Sequence, residues 1–264
     1  TADLTALLPP SGSPLRLHCL YELIQRELEI ASQIQLSALP RSFPAFPNRS
    51  EFDLHATMIP AREVGGDFYD FFLIDEEHLG FVLGDVSGKG VGAAMFMAIT
   101  RTMLRATALQ GLPVAECVAH VNRVLQPESL PRMFVTLIYG VLDIRTGEVT
   151  YCNAGHHPPY LVCRGDGVRA VERTGGLGLC LVSDFDYKAG RLTLQPGDSL
   201  AFTVTLADIH FDFRPDVTHP LLSAFRGVER SGLDTAQVYT YWQMDLKPDT
   251  KAERVLRLAP GALQ

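Results

Sequence analysis

The sequence predicts an α+β fold, with antiparallel sheets and helices stacked on an outer face. Three observations carry this reading. Stretches of period-two hydrophobicity lie before and after one helical block and do not alternate with helices. The strand candidates are joined by short turns (DEEH, TGE, GDG), which suit hairpins. The helical block holds good helix formers with no proline inside its first helix.

In chain order, residues 1–14 are rich in Pro, Ser and Gly and read as a flexible leader. Its text, TADLTALLPPSGSP, reads as a cut inside a longer protein. Residues 15–40 form an amphipathic linker helix. Leu17, Leu20, Ile24, Leu28, Ala31 and Ile34 recur at helical spacing, and Pro40 marks the end. Such a helix either packs on its own domain or pairs with a second copy of the chain. From Glu51 the period changes to two. FDLHATMIPA, DFYDFFLI and LGFVLGDV read as strands. GAAMFMAITRTMLRATALQ and PVAECVAHVNRVLQ are helices, the second opening on a first-turn proline. MFVTLIYGVLDI with VTYCNAG forms a hairpin, and HHPPYLVCRGDGVRAVE forms another. GRLTLQPGDSLAFTVT supplies two short strands around PGD.

Composition narrows the function classes. The chain has 264 residues, enough for one large domain, with 47% hydrophobic and 20% charged residues. A net charge of −7 argues against nucleic acid as a partner, since phosphate backbones need a basic footprint. Five scattered cysteines without CxxC spacing argue against a disulfide framework or a zinc site and suit a cytoplasmic protein. No apolar run approaches the roughly 20 residues that span a bilayer, and no signal peptide is visible.

Two acidic turns carry the candidate chemistry. VGGDFYD places Asp67 and Asp70 at the start of a strand. LGDVSGKGVGAAM places Asp85 at the end of an apolar strand, followed by Gly88, Gly90 and a helix. A carboxylate beside a glycine turn is one way to hold a hard cation, because Mg²⁺ and Mn²⁺ prefer oxygen ligands and keep several waters. By residue type alone, an aspartate at a strand end is more simply a turn-capping group. GDVSGKG is not a nucleotide loop, because Lys89 is followed by Gly90 and Val91 where a P-loop needs Ser or Thr.

Five segments in order then change the weighting: ELEIASQIQLSALP, PAREVGGDFYDFF, LGFVLGDVSGKGVGAAMFMA, MFVTLIYGVLDIRTGEVTYCNAGHHPPYLV and LTLQPGDSL. Over residues 27–203 the chain resembles the SpoIIE/RsbU branch of the metal-dependent protein phosphatases (PPM family). The resemblance implies two stacked antiparallel β-sheets flanked by helices, with metals bound between the sheets, and a phosphatase domain over residues 41–246. Residues 247–264 are left as a C-terminal tail of unknown role. The resemblance also implies that Asp67 and Asp85 hold Mn²⁺ or Mg²⁺, with Asp85 bridging two ions and the carbonyl of Val86 as a backbone ligand. Gly66, Gly88 and Gly90 shape the site and the helix that follows. Asn153, Gly155 and His156 belong to NAGHHPP, read as a structural turn near the site. His156 and His157, adjacent in a strand, would point to opposite faces.

The pattern breaks after PGD. The family strand ends in TDG, whose aspartate is a metal ligand. Here Thr205 and Leu206 hold those positions, and Asp208 could substitute only through a bulge or register shift. Asp234 matches a later family metal ligand, whereas Asp212 and Asp216 read as solvated loop acids.

Two functions follow. One is a signalling protein serine/threonine phosphatase acting on a phosphorylated regulatory protein, such as an anti-sigma-factor antagonist, with His55 or His156 as proton donor and an upstream sensory or receiver domain. The other is a pseudophosphatase that binds a partner without turnover.

Overall fold

Period-two patterning becomes two facing antiparallel sheets. The structure is a computed structural model and describes residues 14–58, 63–129, 133–163, 167–203, 240–247 and 255–257. Helix α1 (Pro14–Ala38) is followed by β1 (Asp53–Met58), β2 (Phe68–Leu73) and β3 (His78–Val86). Helices α2 (Val91–Ala108) and α3 (Val114–Leu125) come next. The remaining strands are β4 (Val135–Asp143), β5 (Glu148–Ala154), β6 (Tyr160–Cys163), β7 (Gly167–Ala170), β8 (Gly190–Thr193), β9 (Ser199–Thr203), β10 (Thr240–Lys247) and β11 (Val255–Arg257). One sheet has the order β2-β3-β4-β5-β8. The other has the order β1-β10-β9-β6-β7, with β11 on β10. Within residues 247–264, β11 therefore contributes a strand to the second sheet.

Turn chemistry sets the hairpins. Asp75 Oδ1 accepts the N–H groups of Glu77 and His78, each at 2.8 Å, and closes the β2–β3 turn. Asp143 Oδ1 does the same for Arg145 and Thr146 between β4 and β5. Asp198 accepts the N–H of Gln195 at 2.9 Å in the PGD turn. That turn crosses between sheets, because β8 pairs with β5 whereas β9 pairs with β6 and β10.

Strand β3 is buried along nearly its whole length. It reads as a continuous apolar run because helices cover one face and the second sheet covers the other. On the inter-sheet face, Phe81 of β3 meets Phe202 of β9 edge-on, with centroids 5.4 Å apart. On the outer face, α2 and α3 pack through Phe96, Met97, Leu104, Val118 and Val121.

Helix α1 forms where its periodicity predicts, over Pro14–Ala38. Leu17, Ile24 and Ile34 of the predicted stripe are 72%, 57% and 65% exposed, and the buried residue of the helix is Gln35. The helix is tied to the domain at its C-terminal end, where Gln35 bonds to Gly65, and its leading apolar side chains are not part of the core. Among the described residues, no helix is long and apolar enough to cross a membrane.

Candidate functional site

The β2–β3 ladder builds the site by register. Phe68 pairs with Gly84, and the N–H of Val86 donates to the carbonyl of Gly66 at 3.3 Å, which carries the ladder one step beyond the strand. Asp67 therefore stands directly opposite Asp85. Opposed residues in an antiparallel pair share a face, and those between hydrogen-bonded pairs approach closest. That face is the one Phe81 presents to the second sheet. The two carboxyl groups are in hydrogen-bond contact. Burial pushes the Asp85 carboxyl above the usual carboxylate range, while the bond to Asp67 and the field of Lys89 pull it back. Two carboxyls this close cannot both ionise cheaply without a cation or a shared proton.

Glycines make this approach possible. A Cβ on Gly66 would sit 2.5 Å from the Val86 carbonyl oxygen, so only glycine lets the two backbones lie this close. Gly88 and Gly90 have φ of 98° and 82°, a region that L side chains rarely adopt, and they turn the chain from β3 into α2. Ser87 fixes this loop to β4, exchanging bonds with the N–H and carbonyl of Phe134 at 2.9 Å each.

The polar row continues across the sheet. Thr136 of β4 is the partner of Asp85, and its hydroxyl lies 3.0 Å from His156 Nδ1. The Asn153 side chain closes the turn below, donating to the His156 carbonyl at 2.9 Å and accepting its N–H at 2.8 Å. Gly155 sits inside this turn with φ of 73°. His156 is buried and His157 exposed, with their rings 6.2 Å apart at 70°. They follow β5 in a loop, yet still diverge. His55 lies on β1 with its ring 4.9 Å from that of Phe43, and burial lowers its pKa.

Asp70 is not part of this arrangement. It stands three positions along from Asp67, an odd offset, so it lies on the opposite face, toward α2. There Arg101 approaches to 2.9 Å and Arg105 to 3.2 Å, and the N–H of Phe71 donates to it at 2.9 Å. Asp208, Asp234, Thr205, Leu206, Asp212 and Asp216 lie outside the described residues. Among those described, no group of three or more His, Cys, Asp or Glu side chains is placed to hold a metal ion. The donor set present is the carboxylate pair with the backbone of Val86 beside it. Carboxylate and carbonyl oxygens of this kind fit a hard divalent cation.

Three contributors were not anticipated: Gln35, which bonds to Gly65; Thr136; and the Arg101–Asp70 pair. Thr136 was readable once β3 and β4 were aligned. The other two are long-range contacts with no local signal.

The family model of Stage II sporulation protein E (SpoIIE) matches residues 75–203. Phosphoserine phosphatase RsbU of Bacillus subtilis is 29% identical over 177 residues, covering 67% of this chain and 52% of RsbU. Residues 75–203 thus carry a SpoIIE-type domain, and the chain is similar to the SpoIIE/RsbU branch of the PPM family. Protein IcfG of Synechocystis is 33% identical over 201 residues, covering 66% of this chain and 31% of IcfG. The chain thus spans about a third to a half of the length of these curated relatives. Among solved structures, the RsbU and RsbW domains of a Mycobacterium tuberculosis protein align with a TM-score of 0.57 at 27% identity, over 76% of this chain and 61% of that one. The SiaA-PP2C domain of Pseudomonas aeruginosa shares the fold, with a TM-score of 0.61 at 19% identity, over 85% of this chain and 97% of that one. Asp85 falls inside the SpoIIE match and Asp67 just ahead of it.

Proposed function

We propose that the chain is a metal-dependent protein serine/threonine phosphatase of a bacterial signalling pathway. Its substrate class is a phosphoserine or phosphothreonine on a regulatory protein, such as an anti-sigma-factor antagonist. The observation that carries this reading is the cross-strand contact of Asp67 with Asp85 on the inter-sheet face. Asp67, Asp85 and the carbonyl of Val86 would hold Mn²⁺ or Mg²⁺. Such ions lower the pKa of attacking water and offset charge on phosphoryl oxygens. Around them, Gly66 sets the separation of the carboxylates, and Gly88 and Gly90 aim the loop. Thr136 and His156 fix the neighbouring edge of the sheet. Free thiols at all five cysteines support a reducing cytoplasmic setting. The exposed apolar residues of α1 support pairing with a second copy.

A second reading has a specific motive. Thr205 and Leu206 replace an acidic ligand of the family, and Asp208 and Asp234 are the residues left to supply one. With one carboxylate fewer the second ion binds weakly, and a pseudophosphatase adaptor results. Purified chain with Mn²⁺ and a phosphoserine peptide separates the two. Phosphate release that Asp85→Asn abolishes supports the enzyme. No release at any Mn²⁺ concentration rejects the enzyme and favours the adaptor, and release that survives Asp85→Asn rejects the site.

A further inference from the structure

We propose that Leu177, Leu181 and Val182 form a substrate-reading platform beside the candidate site, one that receives apolar side chains flanking the phosphoserine of the substrate. The inference rests on the phosphatase reading above and adds a specificity surface to it. All three side chains are exposed, at 42%, 51% and 47%. They stand on the segment between β7 and β8, whose backbone is held from two sides.

On the sheet side, the Thr174 hydroxyl accepts the N–H of Asn153 at 3.0 Å, and Gly176 bridges to Ala154. Leu179 exchanges both backbone bonds with Val135 of β4, at 2.7 and 3.2 Å. On the helix side, the buried Asn122 of α3 donates to the carbonyls of Val182 and Ser183 at 2.8 and 2.9 Å. It also accepts the N–H of Cys180 at 2.8 Å. Among the described residues Cys180 is the non-glycine with positive φ, at 69°. Such strain persists where the surrounding bonds over-determine a shape. What these bonds fix is a backbone that turns three aliphatic side chains into solvent, an arrangement that burial of apolar surface does not favour by itself.

Close backbone packing joins this platform to the site. A Cβ on Gly155 would lie 2.8 Å from the Gly178 nitrogen and 3.4 Å from the Leu177 carbonyl carbon. Gly155 leads into His156, whose ring meets Thr136, the register partner of Asp85. Leu181 Cδ1 and the Phe134 ring lie 3.4 and 3.3 Å from where a Gly178 Cβ would be, and the Phe134 backbone is bonded to Ser87 in the site loop. An extended chain advances about 3.3–3.6 Å per residue, so a phosphoserine at the Asp67–Asp85 pair carries its near neighbours over this surface. A second copy of the chain is the weaker occupant, because three half-exposed side chains fall far short of the roughly 800 Å² per partner that stable interfaces bury. A transient contact with a substrate needs no more than this.

The test uses two phosphoserine peptides of equal length and charge, one with leucine on each side of the phosphoserine and one with alanine. With Mn²⁺, the full chain should favour the leucine peptide in kcat/KM on the order of tenfold, the low end for apolar contacts of this size. A Leu177→Ser, Leu181→Ser variant should lose that preference through KM and hydrolyse p-nitrophenyl phosphate as wild type does. Leu109→Ser, 50% exposed at the far end of α2, should keep the preference. If the double variant does not fold, Val182→Ser carries the test with a smaller loss. Equal kcat/KM for the two peptides in wild type, or a preference that survives the double variant, overturns the platform. A wild-type chain that hydrolyses none of the three substrates overturns the phosphatase reading instead. Fluorescence anisotropy of the two labelled peptides then decides the platform separately: tighter binding of the leucine peptide, lost in the double variant, supports it, and equal binding rejects it.

Discussion

Gly66→Ala perturbs the site while leaving every candidate ligand in place. The added Cβ would lie 2.5 Å from the Val86 carbonyl oxygen and 3.1 Å from the Val86 Cβ. Val86 is fully buried and paired with Val135 of β4, so β3 does not give way. The segment carrying Gly66 and Asp67 must move instead, by about 1 Å to reach ordinary contact. Overpacking of this size costs about 1–3 kcal/mol. That corresponds to a melting-temperature drop of several degrees, at roughly 2–4 °C per kcal/mol for a domain of this length. The functional loss should be larger. Displacing a positioned group by about 1 Å can cost on the order of 10²-fold in rate. Phosphate release from a phosphoserine peptide, Mn²⁺ calorimetry and thermal melting should be measured together. Gly65→Ala is the control, because its Cβ would meet open space. If Gly66→Ala binds Mn²⁺ and turns over like wild type, the separation of Asp67 and Asp85 is not what the site depends on.

Three further outcomes are expected. Asp70→Ala strands Arg101, whose side chain is 13% exposed, and should cost about 3–5 kcal/mol in urea unfolding. Arg105→Ala, 41% exposed, should cost under about 1 kcal/mol, and an Asp70→Ala effect equally small would remove the ion-pair account. Burial raises the Asp85 carboxyl above its ordinary 3.8, so the neutral form favours folding: that stability is complete below 3.8 and is lost as pH rises through the folded-state value. Thermal melts across the acid range should show this slope in wild type and lose it in Asp85→Asn. Light scattering should give a dimer mass for the chain and a monomer mass for a Leu17→Glu, Ile24→Glu variant, and a wild-type monomer would end the pairing role of α1.

Much of this architecture was legible because period-two runs and turn residues are local. The ends of β2, β3, β4 and β5 fall where DEEH, TGE and the glycine cluster place them. The partners of β8 and β9 were not legible, since an apolar alternation such as RLTL or LAF marks an inward face and says nothing about which sheet receives it. What covers the face of α1 was left open for a related reason. Leu17, Ile24 and Ile34 satisfy a helical stripe, but whether a stripe is covered depends on where the helix lies. The site divided along the same line. Asp67 facing Asp85 follows from two neighbouring strands and one hairpin register. The neutralisation of Asp70 by arginines more than 30 residues away on α2 does not.

Two aspartates on neighbouring strands receive opposite treatment, and that contrast bears on enzyme against adaptor. Asp70 turns outward and meets two guanidinium groups from α2. Asp85 turns inward and meets another carboxyl. A fold shaped only for stability, or for binding through its surface, gains nothing from the second arrangement, because adjacent half-buried carboxylates repel when both ionise. Asp85→Asn should therefore raise the stability of the metal-free protein, by about 0.5–2 kcal/mol, a usual gain when a strained functional group is relieved. The same substitution should abolish Mn²⁺ uptake. Urea unfolding in chelator, followed by Mn²⁺ calorimetry on the same samples, reads both effects. Stabilisation with loss of Mn²⁺ binding marks a pair kept for a cation at the expense of the fold. Destabilisation in chelator would show that the Asp67–Asp85 contact is itself a structural hydrogen bond, and the argument for a phosphatase would lose its physical basis in this chain.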